Sequence, residues 1–136
     1  MTRVQDYPLS ERAPERILSA RGKPLNALTL EAVLFGEVSI EDLRITPEAL
    51  RAQADIARLA GRPALADNFE RGAELVHVPQ DLIMDTYELL RPGRAKTRCE
   101  LVERARLLRT EYRALRLAEF IEEAAEQYKR RGLVTD

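Results

Sequence analysis

From Thr97 to Gly132 no proline or glycine interrupts the chain. Apolar residues recur there at steps of three or four, at Leu101, Ala105, Leu108, Tyr112, Leu115, Ala118, Ile121, Ala125 and Tyr128. That spacing places one continuous apolar stripe along a helix. Thr97-Arg98-Cys99-Glu100 has the form of a capping box at its start. The pattern predicts one long C-terminal helix over 97–131, a rod of roughly 50 Å at about 1.5 Å per residue. Upstream the periodic stretches are shorter. Thr29 caps a segment through Phe35 that Gly36 ends, and Ser39 caps a turn through Leu43. At Thr46-Pro47-Glu48 a cap, a proline at the first helical position and an acid in the first turn coincide. Leu50, Ala54 and Ala57 follow at helical spacing, and Gly61 stops the helix. After Pro63, Leu65, Phe69, Ala73 and Val76 share one side. Val78-Pro79 then restarts the chain into Leu82, Ile83, Met84, Tyr87 and Leu90, until Arg91-Pro92-Gly93 ends the helix.

The first 28 residues follow neither period. Pro8, Pro14 and Pro24 stand among Val4, Tyr7, Leu9, Ile17, Leu18, Leu25 and Leu28. Each proline removes a backbone donor and pushes its predecessor toward extended geometry, so an extended arm is expected, lying on this chain's own helices or on another subunit. The reading is an all-α fold in a single domain over 1–136. It comprises an extended arm (1–28), several short helices (29–92) and one long C-terminal helix (97–131). Helices much shorter than the rod would leave part of its stripe uncovered as a partner site.

Composition narrows the function. Of the residues, 45% are hydrophobic, but there is no Trp and there are only three Phe. The interior must therefore be built from thin seams of Ala and Leu. A formal net charge of −1 gives no global attraction to nucleic acid or anionic membrane. One cysteine excludes an intramolecular disulfide framework and fits a reducing compartment. No apolar run approaches the roughly 20 residues that span a bilayer. A soluble, cytoplasmic protein is expected.

Candidate chemistry is sparse. His77 is the only histidine and has no triad partner nearby in sequence, so a structural or exposed role is expected. Cys99 stands beside Arg98 at a helix N-terminus, a position that can lower a thiol pKa, yet such a residue is more often simply packed. Glu119, Glu122, Glu123 and Glu126 have the spacing of helical carboxylate ligands, but those sites also need Glu-x-x-His pairs that one histidine cannot supply. Arg106, Arg109, Arg113 and Arg116 form a basic stripe, interrupted by Glu103 and Glu111. Pairing along the helix explains it better than a phosphate backbone does. No phosphate-binding glycine loop, CxxC or nucleophile elbow occurs.

One resemblance orders these features. The run Val4-Gln5-Asp6-Tyr7-Pro8-Leu9, with Pro14, Ile17-Leu18, Gly22-Lys23-Pro24-Leu25 and Thr29-Leu30-Glu31, resembles the small (gamma) subunit of coenzyme B12-dependent diol and glycerol dehydratases. The likeness continues through Gly36-Glu37-Val38, Asp42-Leu43-Arg44-Ile45, Asn68-Phe69, Val78-Pro79 and Leu90-Arg91-Pro92. It implies a non-catalytic subunit with no catalytic, cofactor or metal ligand of its own. It also implies large and medium subunits as partners, in two αβγ trimers, with adenosylcobalamin held by those other subunits. The preference for propane-1,2-diol or glycerol would then lie in the large subunit. Tyr7, Leu9, Leu18, Leu25 and Arg91 are the expected partner contacts. The chain starts two residues before Arg3-Val4-Gln5-Asp6-Tyr7-Pro8, which does not support microcompartment encapsulation through this end. The alternative is a freestanding helical adaptor or regulatory protein.

Overall fold

The threonines that stand before helical periods cap them. Thr46 accepts from the Ala49 N–H at 3.2 Å, Thr29 from that of Ala32 at 3.2 Å, and Thr97 from that of Glu100 at 3.3 Å. In the computed structural model, which describes residues 2–136, the α-helices are α1 (Leu9–Arg12), α2 (Leu30–Leu34), α3 (Ile40–Leu43), α4 (Pro47–Leu59), α5 (Pro63–Leu75), α6 (Gln80–Leu90), α7 (Arg98–Glu111) and α8 (Leu115–Arg130). Among the described residues there is no strand, only two isolated bridges, so the fold is all-α. The chain divides between Ala73 and Glu74 into two compact units.

In the first unit the arm differs from the extended segment expected over 1–28. Three-residue 3-10 turns at Val4–Asp6, Pro14–Arg16 and Leu25–Ala27 alternate with α1, and Leu18 pairs with Pro24 in an antiparallel bridge. The prolines act as turn starters here: Pro14 occupies the first position of a 3-10 turn, and Pro8 and Pro24 stand at the N-cap positions of α1 and of the Leu25–Ala27 turn. Polar side chains close the turns. Asp6 accepts from the Arg3 N–H at 3.0 Å and from the Arg16 guanidinium at 3.1 Å. α4 and α5 pack through a thin seam, in which Ala54, Ala57 and Ala66 are buried and Leu65 and Phe69 cover them. Gly61, at φ 74°, ends α4 by letting the Arg62 N–H reach the Ala57 carbonyl at 2.8 Å.

In the second unit the predicted long helix is broken. α7 ends at Glu111 and α8 starts at Leu115; between them Arg113 takes φ 53° and the Ala114 N–H donates to the Leu108 carbonyl at 3.1 Å. The reason is burial. As one rod, Leu101, Ala105 and Leu108 would sit on the same exposed stripe as Ala118, Ile121 and Ala125; folded back, the two halves cover each other and all six are buried. The stripe expected to be left uncovered as a partner site is therefore mostly internal, with Leu115 exposed at the start of α8. Val78, Ala95, Ala114, Leu117 and Val134 complete the cluster, and the Tyr128 hydroxyl donates to the Leu90 carbonyl at the end of α6. The C-terminal residues are tied in as well, Arg98 donating its N–H to the Thr135 carbonyl at 2.7 Å and Thr135 its own to that of Lys96 at 2.9 Å.

Candidate partner-binding surfaces

Around the arm, polar contacts fix the backbone and leave apolar side chains outside. The buried carboxylate of Asp42, on α3, accepts from Ser19 Oγ at 2.9 Å, Arg21 Nε at 2.9 Å and the Ser39 N–H at 3.0 Å. Arg21 also donates to the Glu37 carbonyl at 2.9 Å. The Arg21 hydrogen bond is the main reason that the Asp42 carboxyl is held down to about 2, well below the usual carboxylate range; the bonds from Ser39 and Ser19 add to it against the cost of burial. This hub ties the 19–23 turn to α3.

Between the arm and α4 lies a mostly apolar groove of about 740 Å³. Tyr7, Leu9 and Leu18 line it from the arm, with Ala49, Ala52 and Ile56 opposite. Three of the residues expected at a partner surface are thus brought together. Tyr7 is 66% exposed and Leu18 about half exposed, while Leu9 is half-buried. Leu25 is half-buried in its own 3-10 turn and is not part of the groove's lining. Arg91 belongs to the second unit; it is exposed and pairs with Glu88 at 3.1 Å.

A second surface was not foreseen. On α2 and α3 the larger apolar side chains point outward: Leu30 is 71% exposed, Leu34 75% and Phe35 80%, and Val33, Ile40 and Leu43 are exposed too. Inside the α2–α3 turn only Val38 and Asp42 are buried. A scattered exposed leucine is ordinary, whereas this density within one short stretch is the mark of an interaction surface. The signal was present in the sequence: Leu30, Val33 and Leu34 share one face of a five-residue helix too short to bury both its sides.

The catalytic candidates stay apart. His77 and Cys99 are exposed, and Cys99 is a free thiol. Among the described residues no three His, Cys, Asp or Glu side chains gather as they would to hold a metal ion. The charge stripes are split by the break at Arg113. Arg106 pairs with Glu103 one turn back at 2.9 Å, but Arg109 reaches across to Glu122 at 2.7 Å, and Arg98 donates through Nε to Glu126 at 2.6 Å. Two members of the acidic run thus serve as links between α7 and α8. No helix among the described residues is long and apolar enough to cross a membrane.

The dehydratase small subunit family model matches residues 2–135. The chain is 49% identical over 129 residues to the propanediol dehydratase small subunit of Citrobacter freundii. It has the same identity to that of Salmonella typhimurium, each alignment covering 95% of this chain and 74% of the relative.

Proposed function

Because the chain belongs to the dehydratase small subunit family, and other dehydratase subunits are therefore its partners, we propose that it is the non-catalytic small subunit of a coenzyme B12-dependent propanediol or glycerol dehydratase. The observation that carries this reading is the 49% identity over 95% of the chain to two propanediol dehydratase small subunits. The complex would hold two αβγ trimers and convert a 1,2-diol to an aldehyde and water. Adenosylcobalamin, bound by the other subunits, would supply the radical chemistry. A cytoplasmic setting belongs to the same reading and is supported by the lone unpaired Cys99.

The role proposed for this chain is mechanical: it stabilises the large subunit by packing on it. Tyr7, Leu9 and Leu18 present a groove wall that an apolar side chain can enter, and Leu25 and Arg91 are the further proposed contacts. Exposed Tyr and Arg are the side chains that most often dominate an interface. The test is co-expression with the large and medium subunits, followed by an aldehyde assay with adenosylcobalamin, with and without this chain. Co-purification in equal ratio with activity that needs the chain is expected. Purification of the chain by itself, with activity indifferent to it, would overturn the reading.

A further inference from the structure

The α2–α3 face lies outside the contacts proposed above, and its chemistry restricts what can cover it. Its apolar side chains stand beside three exposed carboxylates, Glu31, Glu37 and Glu41, against two exposed cations, Arg44 and Arg21, of which Arg21 is committed to the buried Asp42 carboxylate. Arg44 is already paired with Glu41 at 2.9 Å. Glu31 and Glu37 have no ion pair among the described residues, and Arg21 touches Glu37 only at its backbone carbonyl. A second copy of this chain would bring two such acidic edges together in a symmetric pairing, where like charges facing each other oppose association. A complementary occupant has an apolar centre and a basic edge. The face is also held in shape before any partner arrives. The Asp42 hub fixes α3 against the arm, and the Glu37 and Val38 N–H groups, both donating to the Ala32 carbonyl at 2.8 and 3.1 Å, fix the turn between α2 and α3. Docking there costs little ordering of backbone.

We propose that the outward faces of α2 and α3, centred on Leu34 and Phe35, dock onto an apolar patch edged by lysine or arginine on another subunit of the dehydratase. This inference rests on the small-subunit reading. Leu34 and Phe35 act as the buried anchors, and Glu31 and Glu37 steer and orient the encounter.

The experiment uses the full chain co-expressed with the large and medium subunits, comparing wild type with Leu34→Ser/Phe35→Ser, with Glu31→Lys/Glu37→Lys, and with a control on the other unit, Met84→Ser/Tyr87→Ser. Assembly is read by size-exclusion chromatography on serial dilution at low and high salt. Folding of each variant is read by circular dichroism and thermal melting, and self-association of the isolated chain by sedimentation. The anchor pair should raise the apparent Kd by about tenfold or more without lowering the melting temperature. The charge-reversed pair should weaken assembly at low salt and converge toward wild type at high salt, and the control should assemble as wild type does. Unchanged assembly by both α2–α3 variants, while wild type co-purifies, would overturn this inference and leave the small-subunit reading standing. So would an isolated chain that dimerises through Leu34 and Phe35 while their loss leaves the complex intact. A wild-type chain that never co-purifies would overturn the small-subunit reading, and this inference with it.

Discussion

Glu74, near the end of α5, caps the start of α8: its carboxylate accepts the Leu117 N–H at 2.8 Å and the Arg116 N–H at 3.0 Å. Ala114, the residue at the N-cap position of α8, has no side chain with which to do this. The cap therefore comes from 43 positions before Leu117 in the chain. A carboxylate there also faces the positive end of the helix dipole. Glu74→Ala should lower stability by about 1 kcal/mol, the usual cost of losing an N-cap, and Glu74→Gln should lose less because one acceptor oxygen remains. Urea midpoints of the two variants check this; equal losses would mean that the negative charge at the start of α8, not the accepted hydrogen bonds, is what Glu74 supplies.

Arg113 makes the turn between α7 and α8 with φ at 53°, a region in which a residue with a Cβ is strained. Arg113→Gly should be neutral to stabilising, by up to about 1 kcal/mol, since relief of strain slightly outweighs the added freedom of the unfolded chain. Arg113→Val should be destabilising by more than that, because branching at Cβ makes the left-handed region worse. Thermal melts of the two variants should move in opposite directions or leave only the valine variant shifted. If both melt below wild type by the same amount, the Arg113 side chain contributes contacts that outweigh its backbone.

The same residue explains where the sequence misleads. α2 and α4 end at glycines that take positive φ, so Gly36 and Gly61 mark their ends in the sequence itself. α7 ends at an arginine in the corresponding conformation, and arginine carries no such signal. The apolar period also continues across the break, because Leu108 and Ala118 belong to one seam whether the helix is straight or folded on itself. Only burial distinguishes the two, and burial is a tertiary quantity. The caps at Thr46 and Thr97 were legible because a cap is local; the one from Glu74 was not, because its partner lies far along the chain. Tyr7 and Leu18 stand out in the sequence through their proline-rich setting, and both are exposed at the groove. The α2–α3 face was harder to read, because Leu30, Val33 and Leu34 have the spacing of a core stripe and only the shortness of their helix marks them as outward.

Asp42 makes stability depend on acid. Its carboxyl is held at about 2 in the folded chain, against an ordinary value of 3.8, mainly by the Arg21 guanidinium. A depressed folded value means that the contribution is fully present above about 3.8 and is lost as the pH falls through about 2. Asp42→Asn keeps an acceptor for Ser19 but removes the charge facing Arg21. The variant should be less stable than wild type at neutral pH, and the gap between their urea midpoints should narrow as the solution is taken from about pH 4 toward about pH 2. A gap that stays constant over that range would assign the loss to packing around α3.

Two charged links between α7 and α8, Arg98–Glu126 and Arg109–Glu122, are partly exposed, whereas Leu108 and Ile121 in the seam are fully buried. The magnitudes separate the two kinds of contact. A partly exposed pair contributes about 0.2–1 kcal/mol and is weakened by salt, while truncating a buried leucine to alanine costs about 2–5 kcal/mol in lost contact and residual cavity. Leu108→Ala should therefore destabilise the hairpin several times more than Glu122→Gln and Glu126→Gln combined. Because the seam forms only when α8 folds back on α7, Leu108→Ala and Ile121→Ala should also be less than additive, each having lost part of the contact that the other needs. Denaturation of the two single variants and the double variant measures this coupling. Strict additivity would mean that Leu108 and Ile121 do not share a seam, as they would not on a single straight helix.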